Sequence, residues 1–75
     1  MWIRVNDVIR SADDFSSFYI EMYHGEYSII GKESDSRITI FINYRSYSTA
    51  KEVLDGLYAA LERGDRTFTI PNRTY

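Results

Sequence analysis

The chain has 75 residues, a formal net charge of −2 at pH 7, no cysteine and a single histidine. This length allows one domain, and the missing thiols exclude disulfides and leave a structural zinc site without its usual ligands. The nine lysines and arginines are scattered along the chain, so nucleic acid is not expected as the main partner.

No stretch of the sequence approaches the roughly 18 consecutive apolar residues of a membrane helix. Residues 1–10 carry charges where a signal peptide needs an apolar run. We therefore expect a cytoplasmic protein with no membrane partner. A domain this small usually needs additional stabilisation, and without disulfides or metal this favours a homodimer or a complex with another protein.

The first segment, residues 2–5, alternates in polarity and predicts a short strand with Ile3 and Val5 on one side. Turn-forming Asn, Asp and Ser residues follow. Residues 6–15 are therefore predicted to be an irregular connection, with a single helical turn at its end that Ser11 could cap.

Residues 17–23 form the clearest strand of the first half of the chain. Alternation places Phe18, Ile20 and Met22 on one face and Tyr19, Glu21 and Tyr23 on the other. A tight hairpin is predicted next, because Gly25 can adopt the positive φ that such a turn requires. The strand that follows runs from Glu26 to about Lys32. The pair Ile29–Ile30 leaves its register open, and Gly31 indicates a bulge.

Residues 37–44 show the strongest strand pattern of the chain. Three isoleucines alternate with other residues, so one face consists of Ile38, Ile40 and Ile42 and the other of Thr39, Phe41 and Asn43. Because three β-branched residues in succession are typical of a buried sheet face, we expect the isoleucine side to be the core.

The apolar period then changes from two residues to 3.6, which predicts a helix over residues 49–63. Thr49 followed by Glu52 matches a capping box, with Ser48 as the other possible N-cap, and Gly64 is placed to end the helix. The apolar stripe consists of Ala50, Val53, Leu54, Leu57, Tyr58 and Leu61.

A last short strand is predicted within residues 66–70, with Phe68 and Ile70 on one side, and Pro71 ends it. The sequence leaves open whether this strand pairs with its own sheet or with a neighbouring chain. Residues 71–75 are expected to be a flexible tail.

Together these elements predict a single small α+β domain over residues 1–75. Its fold class is an antiparallel β-meander of about four strands with one C-terminal helix packed on one face and a short final strand. The core is expected where the helix stripe meets the apolar sides of residues 17–23 and 37–44.

The segments WIRVNDVI at residues 2–9 and YSTAKEVLDGLYAALERG at residues 47–64 carry a resemblance to known proteins. The chain resembles small bacterial and phage proteins of unknown function that combine a β-meander with a closing helix. The resemblance covers most of the chain and implies this fold. It implies no activity and assigns no functional residue.

His24, with Glu21 and Glu26 nearby, is the candidate for acid or base catalysis. Its position beside Gly25 favours a solvated turn instead, since a catalytic base must first have the right geometry. The sequence contains no nucleophile elbow, phosphate loop or calcium loop. We therefore predict a protein that is not an enzyme and has no catalytic residue, metal or cofactor.

The outer sheet face is the predicted functional surface. Aromatic residues on a face that should be polar favour an interface, because large rings bury much area there. The expected interaction surface consists of Tyr19, Glu21, Tyr23, Tyr27, Thr39 and Phe41. The predicted function is a small interaction or regulatory module that self-associates through this face or through a sheet edge. The alternative is single-stranded nucleic-acid binding, because aromatic sheet faces can stack bases.

Overall fold

The computed structural model describes residues 1–72. In chain order the elements are β1 (Trp2–Val5), β2 (Val8–Ser11), a 3-10 turn (Ala12–Asp14), β3 (Phe15–Tyr23), β4 (Glu26–Glu33), β5 (Ile38–Tyr44), α1 (Tyr47–Arg63) and β6 (Thr67–Thr69). The predicted α+β class, with a C-terminal helix packed on a sheet and a short final strand, is confirmed. The tail expected over residues 71–75 includes residues 73–75, which lie outside the described residues.

The strands form two sheets rather than one. Strands β3, β4 and β5 make the predicted antiparallel meander, in that order. Strand β1 is the centre of a second sheet, where it pairs antiparallel with β2 and parallel with β6. The final strand therefore pairs within its own chain.

Strand β2 replaces most of the irregular connection expected over residues 6–15. It folds back on β1 through a two-residue turn in which Asn6 has a positive φ of 52°, and Val5 pairs with Val8. The turn-forming residues therefore mark a hairpin. The predicted helical turn and its cap are present, because the Ser11 side chain accepts a hydrogen bond from the Asp13 backbone N–H at 3.3 Å.

Helix α1 begins two residues before the predicted start. Ser46 is the N-cap, and its hydroxyl accepts a hydrogen bond from the Thr49 N–H at 3.4 Å, so the caps predicted at Thr49 and Ser48 are wrong. The predicted end at Arg63 is confirmed, with Gly64 in the left-handed conformation at φ 75°. Within residues 1–72, no helix combines the length and apolar character needed to cross a membrane.

One shared core lies between α1, the inner face of the meander and the second sheet. Its buried members come from nearly every element: Ile3, Val5, Ala12, Phe15, Ile29, Phe41, Tyr44, Ala50, Val53, Leu57 and Ile70. Phe18, Ile20, Ile42 and Phe68 pack against them as partly buried neighbours. Met22, expected in the core, is 64% exposed because it lies at the hairpin end of β3.

A bulge in β5 overturns the predicted faces of that strand. Ile29 pairs with Ile42 and Ile30 with Ile40, so Phe41 is an extra residue with no partner on β4. The bulge turns Phe41 and Ile42 to the same side. Phe41 is consequently buried in the core, whereas Ile38 and Ile40, expected there, are 51% and 54% exposed.

Gly31 provides the space that Phe41 enters. A Cβ atom on Gly31 would lie 2.7 Å from the Phe15 ring and 2.9 Å from the Phe41 ring, so the two rings pack directly against the backbone of the central strand. Their centroids are 5.4 Å apart in an edge-to-face arrangement. No other residue fits at this position without moving both rings.

Arg10 joins the second sheet to the meander. Its guanidinium lies 5.0 Å from the centre of the Phe15 ring and donates a hydrogen bond to the Thr39 hydroxyl at 3.2 Å. The Glu33 carboxylate is 3.7 Å away. A residue of β2 thus contacts β3, β4 and β5 at the same end of the inner face.

Tyr44 binds the segment that follows β6. Its ring is 1% exposed, and its hydroxyl donates a hydrogen bond to the carbonyl of Pro71. Burial raises the pKa of the Tyr44 hydroxyl above its ordinary value of 10.0, because the ring lies where a phenolate would be poorly solvated.

We expect Gly31→Ala to destabilise the fold by about 1–3 kcal/mol, the usual cost of forcing extra volume into a packed core. Gly56→Ala is the matched control. Its Cβ would lie 3.4 Å from the Phe68 ring, an ordinary contact, and alanine favours a helix by about 1 kcal/mol over glycine. Urea unfolding of both variants measures the difference. Equal stabilities for Gly31→Ala and the wild type would contradict the packing described here.

Stability should fall at alkaline pH because of Tyr44. The unfolded chain ionises this tyrosine near pH 10, below its raised pKa in the fold, so unfolding is favoured as pH rises through that range. Tyr44→Phe removes the hydrogen bond to Pro71 and should lower the free energy of unfolding by about 1 kcal/mol at pH 7. Its free energy of unfolding should also fall less steeply at alkaline pH. Tyr23→Phe, at a ring 64% exposed, is the control. Parallel declines in Tyr44→Phe and the wild type would show that Tyr44 has no such role.

Candidate interaction surface

One face of the meander is covered by α1, whereas no helix or strand of residues 1–72 covers the other, which we call the open face. On the open face Tyr19, Ile30 and Ile40 are cross-strand neighbours in a single row over β3, β4 and β5. Ile38 lies one row further along β5, beside Lys32. We call Tyr19, Ile30, Ile38 and Ile40 the isoleucine face.

Ile30 is the centre of the isoleucine face. It is only 2% exposed although it does not belong to the core under α1, so its cover comes from this side of the sheet, where Tyr19 and Ile40 flank it. Its neighbours on β5 are about half exposed. The open face therefore carries a small apolar patch with a buried centre and an exposed margin.

The charged residues on the open face lie at opposite ends. Lys32 is one row from Ile30 towards one end, and Glu21 is one row towards the other, with Glu26 a row beyond it. In the same row as Glu21, the Ser28 hydroxyl donates a hydrogen bond to the side-chain carbonyl of Asn43. Within residues 1–72, no buried side-chain polar atom lacks a hydrogen-bond partner.

Of the six residues predicted for the surface, Tyr19, Glu21 and Tyr23 lie on the open face, where alternation along β3 places them. The other three point inwards. Tyr27 packs against the core and makes an edge-to-face contact with Tyr47, with ring centroids 5.7 Å apart.

Thr39 and Phe41 lie on the inner face because of the bulge. Thr39 accepts the hydrogen bond from Arg10, and the Phe41 ring is 8% exposed. Sequence reasoning missed the residues that take their place, Ile30, Ile38 and Ile40. The doubled isoleucine at residues 29–30 next to Gly31 was the available signal, but it points to β4, whereas the extra residue lies in β5.

His24 occupies the hairpin between β3 and β4. His24 and Gly25 have φ values of 53° and 77°, the two positive angles that a two-residue hairpin of this type requires. The imidazole is exposed and lies 4.1 Å from the Tyr23 ring, measured between centroids. Within residues 1–72, no ion pair joins His24 to Glu21 or Glu26.

Other charged groups form local structural pairs. Hydrogen bonds from the backbone and side chain of Arg37 lower the pKa of the Asp35 carboxyl, in the turn between β4 and β5. The Asp65 carboxylate raises the pKa of Arg63 after the helix end. In the part of the chain that the structure describes, no three His, Cys, Asp or Glu side chains are grouped as a metal site would require.

A second apolar surface lies between β3 and α1. It is a depression of about 340 Å³ lined by Phe18, Leu54, Asp55, Leu57, Tyr58 and Leu61. Tyr58 and Leu61 are 64% and 42% exposed, so the helix side of the depression is open.

Comparison of the chain with protein-family models, with curated proteins and with solved structures found no match.

Proposed function

We propose that the protein is a small non-enzymatic interaction module that pairs with a second copy of itself through the isoleucine face. The observation that carries this proposal is the half-exposed state of Ile38 and Ile40 around the buried Ile30. A wet sheet face is normally polar, whereas a contiguous exposed apolar patch is typical of an interaction site.

The size of the face sets the strength of the expected dimer. Three strands of about eight residues cover about 14 Å by 26 Å, or about 730 Å² over the two copies, which is below the roughly 1,200–2,000 Å² that a stable interface buries. The remaining exposed half of each isoleucine contributes about 1 kcal/mol when buried. We therefore expect a reversible dimer that dissociates on dilution.

The charges favour one arrangement of the two copies. If the two-fold axis runs across the strands along the Tyr19–Ile30–Ile40 row, the Lys32 end of one copy lies over the Glu21 end of the other. An axis along the strands would instead place Lys32 over Lys32. Opposite charges facing each other favour the first arrangement, because like charges at an interface are costly.

The alternative, single-stranded nucleic-acid binding on this face, has less support. Base stacking needs exposed aromatic rings, and with Phe41 buried, only Tyr19 and Tyr23 among the aromatic residues of 1–72 lie on the open face. Glu21 and Glu26 lie beside these rings and would repel phosphates. The free edges of β3 and β5 could pair with another strand, but that pairing would leave Ile38 and Ile40 exposed.

Ile40→Lys should abolish the self-association, since a lysine at this position would be buried without a partner. Ile9→Lys is the matched control, because Ile9 is 60% exposed on a strand of the other sheet and Ile40 is 54% exposed. Sedimentation velocity over a range of concentrations should show a dimer for the wild type and Ile9→Lys and a monomer for Ile40→Lys. A wild type that stays monomeric at high concentration would refute the proposal.

The same measurement tests the orientation of the copies. Lys32→Glu should weaken the dimer, and adding Glu21→Lys in the same chain should restore it. Restoration distinguishes the proposed axis from any arrangement in which these residues do not meet. If the double variant dimerises no more tightly than Lys32→Glu, the proposed orientation is wrong, but the conclusion from Ile40→Lys is unaffected.

A further inference from the structure

The second sheet also has an open face, and its chemistry differs from that of the isoleucine face. Ile3 and Val5 point to the core, so their neighbours Trp2 and Arg4 point outwards. The pairing of the strands adds Ser11 and Ile9 on one side and Thr67 and Thr69 on the other. These six residues include no carboxylate.

Trp2 is the focus of this surface. It is the single tryptophan of the chain and is 55% exposed. Together with Met1, Arg66 and Thr67 it lines a depression of about 400 Å³, which lies within the size range of small-molecule sites. An exposed indole beside a depression offers a flat apolar surface for a planar ligand.

Two arginines lie on or beside this face. Arg66 lines the depression, and its backbone carbonyl accepts a hydrogen bond from the backbone N–H of Trp2 at 2.8 Å. Arg4 lies two residues along β1 on the same face, where its Nε donates a hydrogen bond to the carbonyl of Asn6 at 3.4 Å. Within residues 1–72, neither guanidinium forms an ion pair, and the nearby Asp65 carboxylate is bonded to Arg63 at 2.7 Å. This patch is positive on a chain whose net charge is −2.

From this arrangement we infer that the Trp2 face binds a nucleotide unit, with the base against the indole and the phosphate on Arg66 or Arg4. Stacking on aromatic rings is the common way to hold a base irrespective of its sequence. Guanidinium groups donate paired hydrogen bonds to phosphate oxygens. The depression supplies both kinds of contact side by side, and no acidic side chain of this face opposes the phosphate.

The dispersed basic residues of the sequence do not reveal this site. Arg4 and Arg66 lie near opposite ends of the chain, and only the parallel pairing of β1 with β6, which aligns Trp2 with Thr67, brings them together. The nucleotide could be free or part of a single-stranded nucleic acid, since both present the same base and phosphate.

Quenching of tryptophan fluorescence tests the inference directly, because the single tryptophan lies in the proposed site. The protein is titrated at low salt with adenosine monophosphate, with an oligothymidylate of about eight nucleotides, and with inorganic phosphate. We expect saturable quenching by the nucleotide or the oligonucleotide and none by phosphate alone. Tighter binding of the oligonucleotide, weakened by salt, would identify single-stranded nucleic acid as the source.

Variants that keep the tryptophan complete the test. Arg66→Gln and Arg4→Gln should each weaken nucleotide binding. The variant that removes the arginine in contact with the phosphate should raise the Kd by about tenfold. Arg45→Gln, at an exposed arginine outside both sheets, should not change it. Circular dichroism confirms that each variant is folded. Absence of quenching by both nucleotides, equal quenching by phosphate, or equal losses in all three variants would overturn the inference, whatever the oligomeric state.

Discussion

The packing of the Phe15 and Phe41 rings onto Gly31 is the contact on which the rest of this structure depends. Both rings lie against the backbone of the central strand of the meander, a place that any Cβ would fill. The Phe15 ring packs the start of β3 against the core, and the Phe41 ring packs the bulge of β5 against it. Arg10 then lies over the Phe15 ring and connects the second sheet to the same point.

This contact also determines which side chains lie on the open face of the meander. Because Phe41 is the extra residue of the bulge, the part of β5 before it turns its isoleucines outwards, and the open face of the meander becomes apolar. A chain of 75 residues buries a small core, and isoleucines placed outside it reduce that core further. Pairing with a second copy would return this apolar surface to burial, which is why we connect the bulge to self-association.

Much of the fold follows from local patterns. Alternation predicts β1, β3, β5 and β6, the ability of Gly25 to adopt a positive φ predicts the hairpin that leads into β4, and the change of period with Gly64 predicts the helix and its end. Strand β2 was not predicted, because it depends on pairing rather than on a local pattern. Strand β2 is four residues long and half exposed, so it carries no pattern of its own and exists because β1 pairs with it.

The candidate surface was harder to predict for a physical reason. Residues 38–44 alternate without interruption, and alternation indicates a regular strand, whereas the bulge arises from the fit of Phe41 over Gly31, two residues on different strands. The position of the Phe41 ring follows only if Gly31 is known to face the core, and the sequence does not show which way Gly31 faces. The three predicted residues on β3 lie where alternation puts them, and those on β4 and β5 do not.

The nuclear Overhauser contacts of the Phe41 ring test this account most directly. If Phe41 packs as described, its ring protons show contacts to the α-protons of Gly31 and to the Phe15 ring, and ring currents shift those α-protons upfield. The methyl groups of Ile38 and Ile40 then show no contact with α1. Contacts between these methyl groups and Leu57, with none between the Phe41 and Phe15 rings, would contradict the account.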